Sequence, residues 1–306
     1  MPATLIPAAS FTIEELTEAY NQSRVDYMVP MPMNAARLKD YIHNYHIDLE
    51  QSLVAVEDGT VFGLGMLGVR DNRSWITRLG LVTNQRGKGI GELVMRGLLS
   101  NSDALGIPTN MLEVIKGNVP AHHLFKKLGF KDLRELLILR RPPGDIPAPA
   151  ASVAELDVDT CIAHLAERQE HQAWTNQTES LIQVGKIKGF QIEVPGAGSG
   201  WMVFQPTMFN LSRLMFGTSG VDRVRVMQVL LSYLHASYPN LDTYTENIPA
   251  DDLHLPAFEE FGYIETFRRV EMLRYPELNS PQASAEDSVP MEKQDPLHKQ
   301  GVHWTE

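Results

Sequence analysis

Residues 84–99 read NQRGKGIGELVMRGLL. Gly87, Gly89 and Gly91 alternate with other residues, and an amphipathic run begins directly behind them. That run puts Val94, Met95, Leu98 and Leu99 on one stripe at helical spacing. Glycine loses more conformational freedom on ordering than any other residue, so three in five positions need a reason. A glycine-rich turn opening a helix directs several backbone N–H groups at one point, at the positive end of the helix dipole. That is a phosphate site. Two familiar phosphate loops are excluded by spacing. The P-loop requires G-x-x-x-x-G-K-[ST], and no Ser or Thr follows the lysine of this stretch. The dinucleotide fingerprint requires G-x-G-x-x-G, and the spacing here is G-x-G-x-G. The loop also follows several antiparallel-looking strands, which is wrong for the first turn of a dinucleotide-binding domain.

Working outward, residues 12–23 and 34–47 carry helical spacing, and 52–71 reads as a hairpin with Asp58-Gly59 as its turn. A strand over 74–83 leads into the glycine loop and its helix, and NMLEVI at 110–115 is the next strand. In VPAHHLFKKLGF, residues 119–130, Ala121, Leu124, Phe125 and Leu128 fall at i, i+3, i+4 and i+7, and Gly129 is placed to end the helix. The stretch 131–141 closes this half as a strand. RPPGDIPAPAAS, 141–152, is a proline-stiffened linker. From about residue 276 the chain is polar and aperiodic, and is expected to be a mobile tail.

An internal repeat follows from FKKLGF at 125–130 and FEEFGY at 258–263, an offset of 133. The same offset lays Leu81 and Val82 on Leu214 and Met215, and Glu113 on Glu246; after one inserted residue Arg140 falls on Arg274. Agreement across several elements in one order argues for two copies of one fold. The second copy has lost most of these glycines: opposite Arg86–Gly91 stands SGVDRV, 219–224, in which Gly220 is the one glycine left.

The chain has 306 residues, a formal net charge of -11 and a single cysteine, Cys161. The acidic balance argues against general nucleic-acid binding, which needs basic surface. One cysteine allows no internal disulfide, and the N-terminus has neither the basic flank nor the apolar core of a signal peptide. No stretch approaches the roughly 20 apolar residues that span a bilayer. The expectation is a cytoplasmic globular protein with no membrane partner.

The loop resembles the R-x-x-G-x-G signature of the GCN5-related N-acetyltransferases (GNAT), carried here by Arg86, Gly89 and Gly91. LEVIKGNVPAHHLFKKLGF, 112–130, resembles the next block of that family: strand, asparagine, alanine, then a helix ending in Leu-Gly-Phe. The resemblance covers roughly residues 50–140, and with the repeat it implies an α/β (α+β) fold. The expected architecture is two tandem GNAT-like domains, each a mixed, mostly antiparallel sheet flanked by helices. Their expected bounds are 1–142 for the domain with the acetyl-CoA site, 143–151 for the linker, 152–276 for the degenerate copy and 277–306 for the tail.

The same resemblance implies an acetyl-CoA-dependent transfer to a primary amine, here of a small molecule, by direct attack in a ternary complex, with no metal. It implies that Leu81, Val82 and Thr83 offer backbone groups to the pantetheine arm. Gln85, Arg86, Gly87, Lys88, Ile90 and the glycines Gly89 and Gly91 would meet the pyrophosphate, Asn118 the cofactor arm and Phe125 its surroundings. An amine with pKa near 10.4 is neutral in only on the order of one molecule in a thousand at pH 7, so a base is useful. Glu113 matches a position that serves as that base in some members; as a residue it is equally a structural carboxylate, and the survival of Glu246 in the second copy favours the structural role. The tyrosine that protonates the leaving thiolate in many members is Phe125 here, which donates no proton. His122 and His123 are adjacent, so at most one faces the cofactor, and both read as surface residues. The acceptor pocket would involve Tyr27, Met28, Met31 and Met33, which are equally core candidates. A non-catalytic acyl-CoA-binding or sensor protein is the alternative that Phe125 and the degenerate copy raise.

Overall fold

The computed structural model describes residues 3–168 and 171–275; the expected tail lies outside them. The first half begins with β1 (Thr4–Pro7) and α1 (Ile13–Gln22), which opens on a reciprocal Thr12–Glu15 capping box. Asn34 caps α2 (Ala35–Asn44). β2 (Ile47–Glu57) and β3 (Thr60–Arg70) form the expected hairpin. Asp58 and Gly59 both take positive φ, 47° and 75°, as the tightest hairpin turn demands. Then come β4 (Arg73–Leu81), α3 (Ile90–Ala104), β5 (Thr109–Ile115), α4 (Val119–Lys127) and β6 (Lys131–Arg141).

The second half repeats this order. It consists of β7 (Ser152–Leu156), α5 (Val158–Ala166), α6 (Thr178–Val184), β8 (Lys188–Val194), β9 (Gly198–Pro206) and β10 (Asn210–Gly220). These are followed by α7 (Arg223–Ser237), β11 (Asp242–Pro249), α8 (Leu255–Glu260) and β12 (Ile264–Arg274).

All twelve strands form one sheet in the order β1-β2-β3-β4-β5-β12-β6-β11-β10-β9-β8-β7. Exchanging each strand for its counterpart six places later reverses this order and leaves it unchanged, so the two halves are copies related by an approximate two-fold. The closing strands are exchanged. β12 pairs antiparallel with β5, β6 pairs antiparallel with β11, and the two closing strands pair with each other at the centre. Each core therefore takes side chains from the other half. Met272 of β12 packs with the first-half core under α3, and Leu137 and Leu139 of β6 pack with the second-half core under α7. On the opposite face, α1 and α2 cover a core that admits Trp174 from the second half. Gly68 makes room for that indole, since a Cβ there would stand 3.1 Å from Trp174 Cζ2. Residues 142–149 carry neither helix nor strand. The proline-rich stretch thus separates the copies along the chain, while Met1–Pro276 is one compact unit.

The repeat needs two corrections. Helices α3 and α7, and strands β6 and β12, start and end 133 residues apart, so Arg274 stands opposite Arg141 with no insertion, not opposite Arg140. In β4 and β10 each strand bulges at an arginine with positive φ, Arg78 at 54° and Arg213 at 55°. Those bulges are 135 residues apart. Leu81 therefore corresponds to Phe216 and not to Leu214, and Val82 does not correspond to Met215. The segment from bulge to helix is two residues shorter in the second half, and a fixed offset cannot express that.

Candidate active site

β4 and β5 run parallel for only three residue pairs, the last being Trp75 with Met111. Past that point the strands part, the bulge at Arg78 turns β4 away, and β5 continues along β12 on its other edge. The gap forms part of a cavity of about 720 Å³. Its walls include Tyr27, Met28, Met31 and Met33 from the α1–α2 connection, Arg78 from β4, Glu113 from β5, and Asn118 and Phe125. The second half supplies Thr175, Tyr244, Glu246 and Arg269. The four predicted acceptor residues thus share one cavity with Glu113, Asn118 and Phe125.

Glu113 is the most perturbed carboxyl in this cavity. Its Oε2 accepts a 2.6 Å hydrogen bond from Trp75 Nε1, while Oε1 is buried without a partner. Burial pushes its pKa up to about 7, helped by the carboxylate of Glu271 directly across on β12, and Arg269 and the Trp75 bond only partly oppose this. Burial alone would raise Glu271 too, but hydrogen bonds from His171 and Arg134 keep it below the ordinary range. Trp75 is itself held: Trp174 stacks on it at 5.8 Å and 15°, and Tyr45 meets it edge-on at 5.8 Å. Trp174 in turn donates from Nε1 to Tyr45 O, and its own carbonyl accepts from Arg70. A second-half residue thus braces the indole that fixes Glu113.

Glu246, the repeat counterpart of Glu113, opens into the same cavity from β11. Its half-exposed carboxylate pairs with Arg269 at 2.9 Å, which outweighs desolvation and keeps it ionised. The two repeat-related carboxylates therefore differ in charge near neutral pH, one paired with a guanidinium and one not.

The glycine loop lies beyond β4. Gly87 and Gly89 have φ of 75° and 84°, a region L side chains rarely adopt, and the space around both is open. Gly89 is the N-cap of α3 and offers no side-chain acceptor, so the first-turn N–H groups are left for another partner. Gly91 differs: a Cβ there would meet Leu81 Cδ1 at 3.5 Å and Leu124 Cδ2 at 3.7 Å, ordinary contacts. Arg86 is tied back by an ion pair to Asp26 at 2.7 Å and by bonds to Ser23 O and Leu81 O. Lys88 reaches Gln85 Oε1, Thr83 Oγ1 reaches Asp26, and Ile90 begins α3 with its side chain buried. The strand edge is partly engaged, because Val82 N–H donates to Phe62 O and the carbonyls of Leu79 and Leu81 accept from Arg24 and Arg86. Asn118 caps α4 and also donates to Tyr27 Oη at 3.5 Å, bridging the two walls. Phe125 is buried edge-on against Phe130, and His122 binds Asp132 at the surface.

In the second half β10 continues as strand to Gly220, and only two residues separate it from α7. Asp222 caps that helix, its Oδ1 accepting from Arg225 N at 3.0 Å, so a carboxylate stands where an anion would have to bind. Gly220 serves the strand: a Cβ there would lie 2.3 Å from Ala197 O.

Arg78, Thr175, Tyr244, Glu246, Arg269 and the brace Trp174 escape sequence reasoning as site residues. The repeat was the available signal, since two interlocked copies set β12 beside β5 and β11 beside β6. Among the described residues no group of three or more His, Cys, Asp or Glu side chains is placed to hold a metal ion, and no helix is long and apolar enough to cross a membrane.

Residues 13–130 match the family model described as Acetyltransferase (GNAT) family. No curated protein sequence matches the chain. Among solved structures, a putative acetyltransferase from Pyrococcus horikoshii is similar at a TM-score of 0.61 and 14% identity, over 90% of each chain. A GCN5-related N-acetyltransferase from Sphaerobacter thermophilus reaches 0.62 at 14% identity, over 89% of this chain and 95% of its own. A tandem GNAT protein from the clavulanic acid biosynthesis pathway reaches 0.59 at 14% identity, over 89% and 98%. At such identities the likeness is one of fold. The chain has the tandem GNAT fold, and residues 13–130 of its first half match the acetyltransferase (GNAT) family model.

Proposed function

We propose that the protein is an acetyl-CoA-dependent N-acetyltransferase acting on a primary amine of a small molecule. In this reading residues 1–142 form the working domain and 152–276 a copy that no longer binds the donor. The observation that carries it is Glu113: a carboxyl with a pKa of about 7, one oxygen fixed by Trp75 and the other unpartnered, at the mouth of the β4–β5 gap.

The residues present fit the donor. Gly87 and Gly89 leave an open cradle that a side chain would strain, and the uncapped first turn of α3 supplies N–H groups for a pyrophosphate. Gln85, Lys88 and Gly91 border that cradle, Leu81 to Thr83 line the approach to it, and Asn118 and Phe125 flank the arm. When bound, acetyl-CoA supplies an acyl group activated as a thioester. Glu113 Oε1 takes the proton of the entering ammonium, since a carboxylate with pKa near the working pH combines a populated basic form with useful proton affinity. Tyr27, Met28, Met31 and Met33 exclude water from the amine and hold it against the gap. Phe125 has no proton to give, and a thiolate with an ordinary pKa near 8.5 is a competent leaving group without one.

Phe125 also favours a second reading, a non-catalytic acyl-CoA-binding protein. Release of free thiol from acetyl-CoA across a panel of amines separates the two. Amine-dependent release that falls in Glu113→Gln supports the enzyme, and tight binding with no release for any amine supports the sensor.

A further inference from the structure

Arg78 sits on the β4 bulge with its guanidinium 4.2 Å over the Tyr41 ring and 5.4 Å from that of Tyr20. Its Nη1 donates to Tyr20 Oη at 3.3 Å and lies 3.7 Å from Met31 Sδ. Its Nε is buried with no partner, and no hydrogen bond engages Nη2 among the described residues. No described carboxylate stands within ion-pair distance of it. Glu246, whose charge acts on Arg78, is itself paired with Arg269, and Arg140 is likewise paired with Asp242. Neighbouring groups, Glu246 among them, favour the charged guanidinium, but no described carboxylate bonds it directly, and an anion that does so gains a charge-assisted hydrogen bond. With Nε shut in and Nη1 engaged, Nη2 is the donor left to meet a carboxylate.

Arg78 and Glu113 stand at two ends of one wall. Arg78 covers Tyr41, Tyr41 and Trp75 lie 6.1 Å apart, and Trp75 holds Glu113. Resting on the acetyltransferase reading above, we infer that the acceptor is a small amine that carries its own carboxylate. Its amino group meets Glu113, its carboxylate meets Nη2 of Arg78, and its carbon skeleton spans the cavity between them past the edges of Tyr41 and Trp75. The cavity thus selects a zwitterionic amine over a simple cationic one.

The test compares glycine, 4-aminobutyrate, 6-aminohexanoate and phenylalanine, each with its own carboxamide, under saturating acetyl-CoA. The expected result is a preference of at least tenfold in kcat/KM for the carboxylate form of at least one pair. That preference disappears in Arg78→Met, through KM, and survives in part in Arg78→Lys. Acetyl-CoA titration of each variant checks that it is folded. Where no amine is acetylated, the same pairs are titrated calorimetrically into the acetyl-CoA-loaded protein. Carboxylate binding that Arg78→Met abolishes then upholds the inference while the enzyme reading falls. Equal use or equal binding of carboxylate and carboxamide overturns it, as does failure of every carboxylate to bind. A loss in Arg78→Met that falls on kcat equally for both forms also overturns it, since Arg78 would then be acting on the acyl group.

Discussion

The two halves share one plan and diverge at the step from the fourth strand into the following helix. In the first half β4 stops at Leu81, a glycine loop intervenes, and α3 begins behind an uncapped Gly89. In the second half β10 runs on to Gly220 and Asp222 closes the helix N-terminus. With two residues fewer between bulge and helix, a carboxylate cap stands in place of the open glycine turn. The second half is nevertheless part of the site, because it sends Trp174 behind Trp75 and Arg269 and Glu246 into the cavity. Losing the glycine loop and lining the cavity are compatible outcomes for one copied fold.

The sharpest way to break this comparison is at the paired carboxylates. Glu113→Gln is expected to lower kcat/KM by on the order of 10²–10⁴-fold, the range of general-base catalysis, with acetyl-CoA affinity unchanged. Glu246→Gln, which leaves Glu113 intact, is expected to lose far less. Equal losses would erase the assignment of roles.

Trp174→Ala probes the dependence of the first half on the second. Removing a fully buried indole is expected to cost about 3–5 kcal/mol of stability, read by denaturant unfolding, and the loosened Trp75 should lower activity in whatever fraction remains folded. A change confined to the second half would contradict the bracing role.

At the loops, Gly89→Val forces a β-branched residue to φ of 84°, a strain of at least about 1–2 kcal/mol, and should abolish acetyl-CoA binding. Gly91→Ala adds only ordinary contacts and should bind nearly as the parent does. Asp222→Ala is expected to cost about 1 kcal/mol of stability as a lost cap without creating a second donor site.

The pH dependence sharpens the account of Glu113. Its base form appears as pH rises through about 7, so kcat/KM should climb in a one-proton step there and flatten above, and Glu113→Gln should lack that step. For stability the sign is opposite. The folded state holds this proton above the ordinary carboxyl range, so the Glu113 contribution declines as pH rises from about 4.5 to about 7. A kcat/KM profile flat across pH 6–8 would remove Glu113 from the base role.

Much of the fold was legible because its signals are local. Asp58-Gly59, the stripe behind Gly91 and the Leu-Gly-Phe helix end each announce themselves within a few residues. The echo of Phe125–Phe130 at Phe258–Tyr263 announced the copy. The exchange of β6 and β12 was not legible, because pairings such as Glu113 with Glu271 join residues far apart in the chain and leave no mark on either strand. The bulges at Arg78 and Arg213 were equally silent, since an inserted residue alters register without altering composition. At the site, Glu113, Asn118 and the methionines of the α1–α2 connection were within reach of motif reading. Arg78, Arg269 and Trp174 acquire their roles only from the bulge and from the interlocking of the two halves.

The central claim, that one half holds the donor while both build the acceptor cavity, is tested most directly by calorimetric titration of acetyl-CoA into the intact chain. The account predicts one site per chain, lost in Gly89→Val and unaffected by Asp222→Ala. Two sites per chain, or a single site that survives Gly89→Val in a folded protein, would contradict it.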